Sequence, residues 1–158
     1  MERAQSLVGE LRRQRVTVVT AESCTGGLIA GLLSHAPRAS ECLHGGFVVY
    51  TKEHKQIALG VSRRVLDQNG SVNAEVAREL AMGALARSPA TLALAVTGVL
   101  GPDPDEDGNP PGRVIFSLAR RDREPLVIEE HFGQAHPDAV RRAAILRALA
   151  LLRETASA

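Results

Sequence analysis

A serine, a cysteine and a threonine stand together in a glycine turn near the amino end of the chain. The segment TAESCTGG places Ser23, Cys24 and Thr25 directly before Gly26 and Gly27, and an apolar helical pattern follows. The first N–H groups of a helix have no partner within the helix, so they favour an anion or a developing oxyanion. The segment fits a nucleophile with an oxyanion hole, or a phosphate cradle. The structural alternative is that Ser23 or Thr25 only caps the helix while the glycines allow the turn.

Tyr50 and Lys55 supply a phenol and an amine after the segment GGFVVYT, which we expect to form a buried strand. A lysine activates a hydroxyl only as the neutral amine, which requires burial to lower its pKa from about 10.4 towards 7. Taken alone, Lys55 is expected to be a solvated surface residue, as is Lys52. Cys24 is a second candidate nucleophile, although a small packed cysteine is the more ordinary role.

The segment GVLGPDPDEDGNPPG is rich in glycine, proline and aspartate and separates two strand patterns. Unstructured connections of this length in a compact domain are usually functional or disordered. The stretch from Asp103 to Asn109 imitates the opening of a calcium loop, but Val114 stands where the closing glutamate belongs and Pro104 interrupts the loop. The histidines show no paired ligand spacing. We therefore expect no metal site.

Alternating helix and strand patterns must position these segments. Helical spacing is predicted for residues 4–11, 28–33, 53–59, a helix that begins near Asn73, and the tail from Asp138. Strand patterns are predicted for residues 16–19, 45–51, 91–97, 114–119 and 125–132. This alternation predicts an α/β fold, a three-layer α/β/α sandwich with a mixed central sheet, formed by residues 1–158 as a single domain. Ligands of such sheets bind outside the carboxyl ends of strands, so the loops at Ser23, after Tyr50 and after Thr97 form the candidate site.

Composition excludes several classes of protein. The 158 residues are 44% hydrophobic, which suits one compact domain. A net charge of +1 provides no field for nucleic acid or an anionic membrane, and 3% aromatic residues leave little to stack on bases. No apolar run approaches the roughly 20 residues that cross a bilayer. Two cysteines, Cys24 and Cys42, are too few for a disulfide framework, so we expect a cytoplasmic protein.

Four segments taken together resemble the CinA C-terminal family. They are AESCTGG, GGFVVYTKEHKQIALGV, SVNAEVARELAMGA and TGVLGPD with a later PPG, in register over roughly Val16 to Ala119. The resemblance implies an α/β/α domain, often a homo-oligomer, that acts on a small-molecule nucleotide without metal or cofactor. The implied reaction converts nicotinamide mononucleotide to its acid form and releases ammonia, in pyridine nucleotide salvage.

The resemblance also implies roles for individual residues. It makes Ser23 the nucleophile, Lys55 the base that activates it, and Tyr50 a hydroxyl that orients the nucleophile or relays the proton. Backbone N–H groups from Thr25 to Gly27 would stabilise the oxyanion. The positions that it assigns to substrate binding are Thr25, Gly26, Gly27, Thr97, Gly98 and Gly101.

The chain departs from the family pattern in two places. Acidic residues fill positions 103–107, where the family carries a glycine-rich stretch, and Ala135 to Pro137 replace a Gly-Asp-Arg before the last helix. A phosphate-binding arginine is then missing. Either Arg113 or Arg141 substitutes for it, with Arg113 the one we assign to substrate binding, or the substrate is less phosphorylated, or the activity has been lost.

Two rival functions stay open on the sequence. One is a non-catalytic nucleotide-binding or regulatory module on the same scaffold, which the acidic loop and the missing arginine favour. The other is a structural partner in stress or DNA-uptake responses, and the low net charge argues against direct contact with DNA.

Overall fold

The computed structural model describes residues 1–158, in which helices and strands alternate along the chain. The helices are α1 (Glu2–Arg13), α2 (Leu28–Ser34), α3 (Lys52–Leu59), α4 (Arg63–Asn69), α5 (Ala74–Ala86) and α6 (Pro137–Ala156), with a 3-10 turn at Ala39–Glu41. The strands are β1 (Val18–Glu22), β2 (Leu43–Val48), β3 (Leu92–Gly98), β4 (Arg113–Arg120) and β5 (Leu126–His131).

The five strands form one mixed sheet in the order β2-β1-β3-β4-β5. Strand β1 pairs in parallel with β2 on one side and with β3 on the other, whereas β4 is antiparallel to both β3 and β5. The carboxyl ends of β1, β2 and β3 therefore lie at one edge of the sheet, and the loops that follow them meet there. The predicted mixed sheet is confirmed.

Two apolar cores, one on each face of the sheet, produce the three layers. Along β3, Leu92, Leu94 and Val96 pack with α1, α2 and α6, whereas Ala93 and Ala95 pack with α3, α4 and α5. The alternation follows from the two-residue period of a strand, which sends successive side chains to opposite faces. The predicted α/β/α sandwich is confirmed. None of the helices combines the length and the apolarity that a membrane-spanning segment requires.

Two elements differ from the sequence predictions. Strand β2 begins and ends earlier than predicted, and it is not buried, because it lies at the edge of the sheet and its residues alternate between half-buried and exposed. Helix α4 was not predicted. Only Val65 and Leu66 of its seven residues are buried, and two adjacent apolar residues do not show a helical period.

Helix α3 is fixed at both ends, which matters because it carries Lys55. At its start the Thr51 side chain accepts a hydrogen bond of 3.1 Å from the backbone N–H of His54. At its end Gly60 adopts a left-handed conformation with φ of 71°. Helix α5 packs against this end so closely that a Cβ on Gly83 would lie 2.2 Å from the carbonyl oxygen of Leu59.

Candidate active site

A cleft of about 450 Å³ opens at the carboxyl edge of the sheet, within the size range of small-molecule sites. The loops after β1, β2 and β3 all reach it, contributing Ser23, Tyr50 and Thr97 among its walls. The sequence predicted these three loops as the site. The sheet brings them together because its three parallel strands end at the same edge.

Ser23 and Lys55 form a direct pair at the base of the cleft. Ser23 directly follows β1, and its backbone N–H donates to the carbonyl of Val96 at 3.0 Å, which ties it to β3. The Lys55 Nζ donates to the Ser23 Oγ at 2.9 Å and to the carbonyl oxygen of Tyr50 at 2.8 Å. Two directed contacts therefore hold the amine against the hydroxyl of Ser23.

Lys55 is completely buried, which overturns the expectation from residue type that it is a solvated surface lysine. Burial, with a smaller contribution from the positive charge of nearby Lys52, lowers the pKa of Lys55 to about 8. No carboxylate pairs with Lys55, so no ion pair offsets the cost of burying its charged form. Near pH 8 about half of the Lys55 side chains are therefore uncharged. The uncharged amine is able to accept a proton from Ser23.

Tyr50 contributes to the pair through its backbone. Its carbonyl oxygen accepts from Lys55, while its side chain is 70% exposed and makes no hydrogen bond to Ser23 or Lys55. The ring lies at the mouth of the cleft and also borders a shallow groove formed with Val48 and Ile57. The structure thus leaves the phenol exposed beside the cleft, without a contact to Ser23 or Lys55.

Glu22 is a buried carboxylate beneath the glycine turn, and the sequence analysis missed it. It accepts hydrogen bonds from the hydroxyls of Thr20 at 3.0 Å and Thr25 at 2.7 Å, and from the backbone N–H groups of Ile29 and Ala30 at 3.0 and 2.9 Å. These contacts occupy the N–H groups of Ile29 and Ala30 in the first turn of α2, so these two donors are not available to a ligand. One feature of the sequence could have identified Glu22: it is a glutamate at the end of a buried strand, with threonines two residues before and three residues after it.

The turn from Ser23 to Gly27 keeps other backbone donors free. The N–H groups of Cys24, Thr25 and Gly27 have no acceptor within the protein, whereas that of Gly26 donates to the carbonyl of Ser23 at 3.0 Å. Positive φ values of 61° and 89° at Gly26 and Gly27 allow this geometry, and neither glycine lines the cleft. Thr25 is completely buried, with its side chain against Glu22, and like the two glycines it does not line the cleft, so none of these three predicted substrate-binding residues lies on its surface.

Cys24 is a packed thiol. It belongs to the apolar core beneath α1, α2 and α6, and burial raises the pKa of its thiol to about 12. Because the thiolate is the reactive form of cysteine, this environment favours the hydroxyl of Ser23 as the nucleophile.

The far wall of the cleft contains the predicted residues Thr97, Gly98 and Gly101. The hydroxyl of Thr97 donates to the carbonyl of Ser71 at 2.8 Å, which joins the end of β3 to the segment before α5. A Cβ on Gly98 would lie 2.8 Å from the carbonyl oxygen of Arg113, so a larger residue does not fit there. Ser71 also lines the cleft, and no sequence pattern pointed to it.

A model of the CinA C-terminal domain family matches residues 1–156. The chain belongs to this family. Among solved structures, a competence/damage inducible protein from Agrobacterium tumefaciens is 37% identical to this CinA domain and superposes with a TM-score of 0.90. That match covers 96% of this chain and 92% of the other.

Two curated relatives differ in how much of their own length matches this chain. A nicotinamide-nucleotide amidohydrolase from Escherichia coli is 36% identical over 152 residues, which cover 96% of this CinA domain and 92% of the relative. A CinA-like protein from Chlorobium phaeovibrioides is 44% identical over 117 residues, or 74% of this chain. The matched part is only 27% of that longer relative.

The two arginine candidates of this CinA domain lie in different places. Arg113 does not line the cleft, because its guanidinium donates to Glu129 at 2.8 Å and bonds Asn109. Arg141, in the second turn of α6, lines the cleft together with Pro137 and donates to Asp138 at 2.9 Å. Of the two substitutes that the sequence left open, the structure brings Arg141 to Ser23 and Lys55.

The acidic loop of this CinA domain lines the cleft in a fixed conformation. The carboxylate of Asp105 accepts hydrogen bonds from the backbone N–H groups of Asp107 and Asn109 at 3.0 and 2.7 Å, which fixes the backbone of the loop. Asp107 pairs with Lys52 of α3 at 2.8 Å and accepts from the backbone N–H of Ser71 at 3.3 Å. The loop is therefore fastened to the same helix that carries Lys55.

Proposed function

We propose that this CinA domain is an amidohydrolase that converts nicotinamide mononucleotide to nicotinate mononucleotide and ammonia. The observation that carries the proposal is the hydrogen bond of 2.9 Å between the Lys55 Nζ and the Ser23 Oγ, in a site where the lysine is buried. A serine hydroxyl beside a buried lysine is an activated nucleophile, since the lowered pKa of the lysine lets the neutral amine take the hydroxyl proton. The substrate is assigned from the Escherichia coli relative that bears the name of this activity.

The proposed reaction begins with attack of the Ser23 Oγ on the carboxamide carbon while Lys55 accepts the hydroxyl proton. The tetrahedral oxyanion lies against the unpaired N–H group of Cys24, which lines the cleft. The protonated Lys55 gives its proton to the departing nitrogen, which leaves as ammonia, and an acyl-enzyme remains. Water then attacks the acyl carbon while Lys55 accepts its proton, and the protonated Lys55 returns this proton to the departing Ser23 Oγ. The released carboxylic acid loses its own proton to solvent.

The proton transfer and the oxyanion donor each make a contribution of known order of magnitude to the reaction rate. Proton transfer by a positioned base contributes roughly 10² to 10⁴-fold to the rate, and one oxyanion donor contributes roughly 10² to 10³-fold.

The hydroxyl of Tyr50, which lies at the mouth of the cleft, contributes to binding in this proposal rather than to proton transfer. Thr97, Gly98 and Gly101 contact the nucleoside beyond the carboxamide.

The test is ammonia release from nicotinamide mononucleotide by the purified protein and by Ser23→Ala. We expect a loss of at least about a thousandfold in kcat in this variant, which should remain folded because the lost hydrogen bond to Lys55 costs only about 1 kcal/mol of stability. Ser40→Ala is the matched control, because Ser40 is exposed in the 3-10 turn and lies outside the cleft, and it should retain full turnover. A folded protein that binds the nucleotide without releasing ammonia would instead support the non-catalytic binding module.

A further inference from the structure

Arg141 is a cation that lines the cleft and keeps most of its hydrogen-bond donors free. Its Nη1 donates to the carboxylate of Asp138 at 2.9 Å, and its other nitrogens make no hydrogen bond or ion pair within the protein. A guanidinium carries more N–H donors than this one bond uses, so the remaining donors are available to a ligand. The side chain of Asp138 is 73% exposed, and an ion pair so open to water contributes little.

Two lysines lie at or beside the cleft, and neither is available to an anionic group of a ligand. Lys52 is paired with two carboxylates of the acidic loop, at 2.8 and 3.1 Å. Lys55 is held against the hydroxyl of Ser23 at 2.9 Å, and it acts as the neutral amine in the proposed reaction. Arg141 is therefore the cation that is left for an anion.

Arg141 and the pair that fastens the acidic loop belong to opposite layers of the sandwich. Helix α6, which carries Arg141, packs on the same face of the sheet as α1 and α2. The acidic loop is fastened through Asp107 to Lys52 of α3, and α3 packs on the other face. An anion bound by Arg141 therefore lies on the layer away from this pair.

The charge of Arg141 also reaches the base of the cleft. At Cys24, next to Ser23, it counteracts a small part of the effect of burial, which raises the pKa of the thiol. A ligand held at Ser23 is therefore within the field of this guanidinium.

We propose that Arg141 binds the phosphate of the nucleotide substrate and makes this CinA domain selective for nicotinamide mononucleotide over the phosphate-free nucleoside. The inference rests on the proposed amidohydrolase function and assigns the phosphate-binding residue of that substrate. A phosphate monoester carries about −1.5 to −2 charges at neutral pH, and its oxygens accept paired hydrogen bonds from a planar guanidinium. The nucleoside offers no such group, so the contact favours only the phosphorylated ligand.

The experiment compares kcat/KM for nicotinamide mononucleotide and for nicotinamide riboside, measured as ammonia release, in the wild type and in Arg141→Met. We expect the wild type to prefer the mononucleotide at least about tenfold. Arg141→Met should reduce this preference at least about tenfold, mainly through a higher KM for the mononucleotide, and should leave kcat/KM for the riboside within about threefold. Arg141→Lys keeps the charge without the paired donors and should retain part of the preference.

Arg142→Met is the matched control. It removes the same charge from the next residue, which is exposed, lies outside the cleft and makes no ion pair, so the preference should stay unchanged. Binding of nicotinate mononucleotide, the product of the proposed reaction, supplies a second measurement that needs no turnover. Calorimetry should show a Kd that Arg141→Met raises at least about tenfold and that Arg142→Met leaves unchanged.

The outcomes separate the two proposals. A wild type without preference for the mononucleotide, or a preference and a Kd that Arg141→Met does not alter, overturns the role of Arg141 and leaves the amidohydrolase intact. Equal losses with both substrates in Arg141→Met, or equal effects of Arg141→Met and Arg142→Met, would also overturn it. Ammonia release from neither ligand by the folded protein overturns the amidohydrolase, and the Kd then decides whether Arg141 binds the phosphate.

Discussion

Replacing Lys55 by methionine should make the protein more stable at neutral pH while it abolishes turnover. Methionine fills a similar volume without an ionisable group, so Lys55→Met removes the cost of holding a charged amine in a buried site. A folded-state pKa near 8, against 10.5 for a free lysine, corresponds to a cost of about 3 kcal/mol. The hydrogen bonds that Lys55 makes to Ser23 and Tyr50 offset part of this gain, at about 1 kcal/mol each.

The pH dependence isolates the contribution of Lys55 from these lost contacts. Below pH 8 the folded and unfolded states both hold the proton, and the cost of the buried charge is fully present. As the pH rises from 8 to 10.5, the folded state loses the proton first, so the unfolded state binds more protons and stability increases. Between pH 7 and 10 the wild type should gain about 2 to 3 kcal/mol relative to Lys55→Met.

The assay is urea unfolding at several pH values, with the difference between wild type and variant plotted against pH. Lys52→Met is the control, because the hydrogen bond to Asp107 raises the pKa of Lys52. Its own stabilising contribution is fully present below the unfolded pKa, so the wild-type difference from Lys52→Met should change between pH 7 and about 10 only through the weaker effect of its charge on Lys55. A difference for Lys55→Met that changes no more than that for Lys52→Met would refute the assignment of a neutral lysine at the base of the cleft.

Three further results are expected. The kcat/KM for ammonia release should rise with pH through an apparent pKa near 8, as Lys55 loses its proton, and a pH-independent rate between 6.5 and 9 would contradict its role as base. Glu22→Gln places an amide donor against the hydroxyl of Thr25 and should lower the free energy of unfolding by about 2 to 4 kcal/mol in urea titrations, with reduced turnover; an unchanged unfolding midpoint would argue against the buried network. Gly83→Ala should lower Tm by several degrees, because overpacking against Leu59 costs about 1 to 3 kcal/mol, and an unaltered Tm would show that α5 shifts freely.

Local sequence signals predicted the elements that hold the site. The β-branched run before the glycine turn, the helical spacing after it, and the asparagine at position 73 each act on neighbouring residues, so they are visible in the sequence. The side chain of Asn73 accepts from the backbone N–H of Val76 at 2.9 Å, as expected of a helix cap. The family resemblance added the pairing of Ser23 with Lys55, which residue type alone did not support.

The electrostatic character of the site depends on contacts between residues far apart in the chain. Ser23 and Lys55 are 32 positions apart, and only the tertiary packing of α3, which contacts α5, buries the amine completely. The same holds for the two arginines, because the pairing of β4 with β5 gives Arg113 a carboxylate partner in Glu129, while the placement of α6 turns Arg141 to the cleft. The sequence by itself determined most turns, strands and helices, α4 and the limits of β2 excepted, since these follow from local backbone preference and periodicity. The tertiary structure alone decided which charges are buried, paired or free, because desolvation and ion pairing depend on distances that the fold sets.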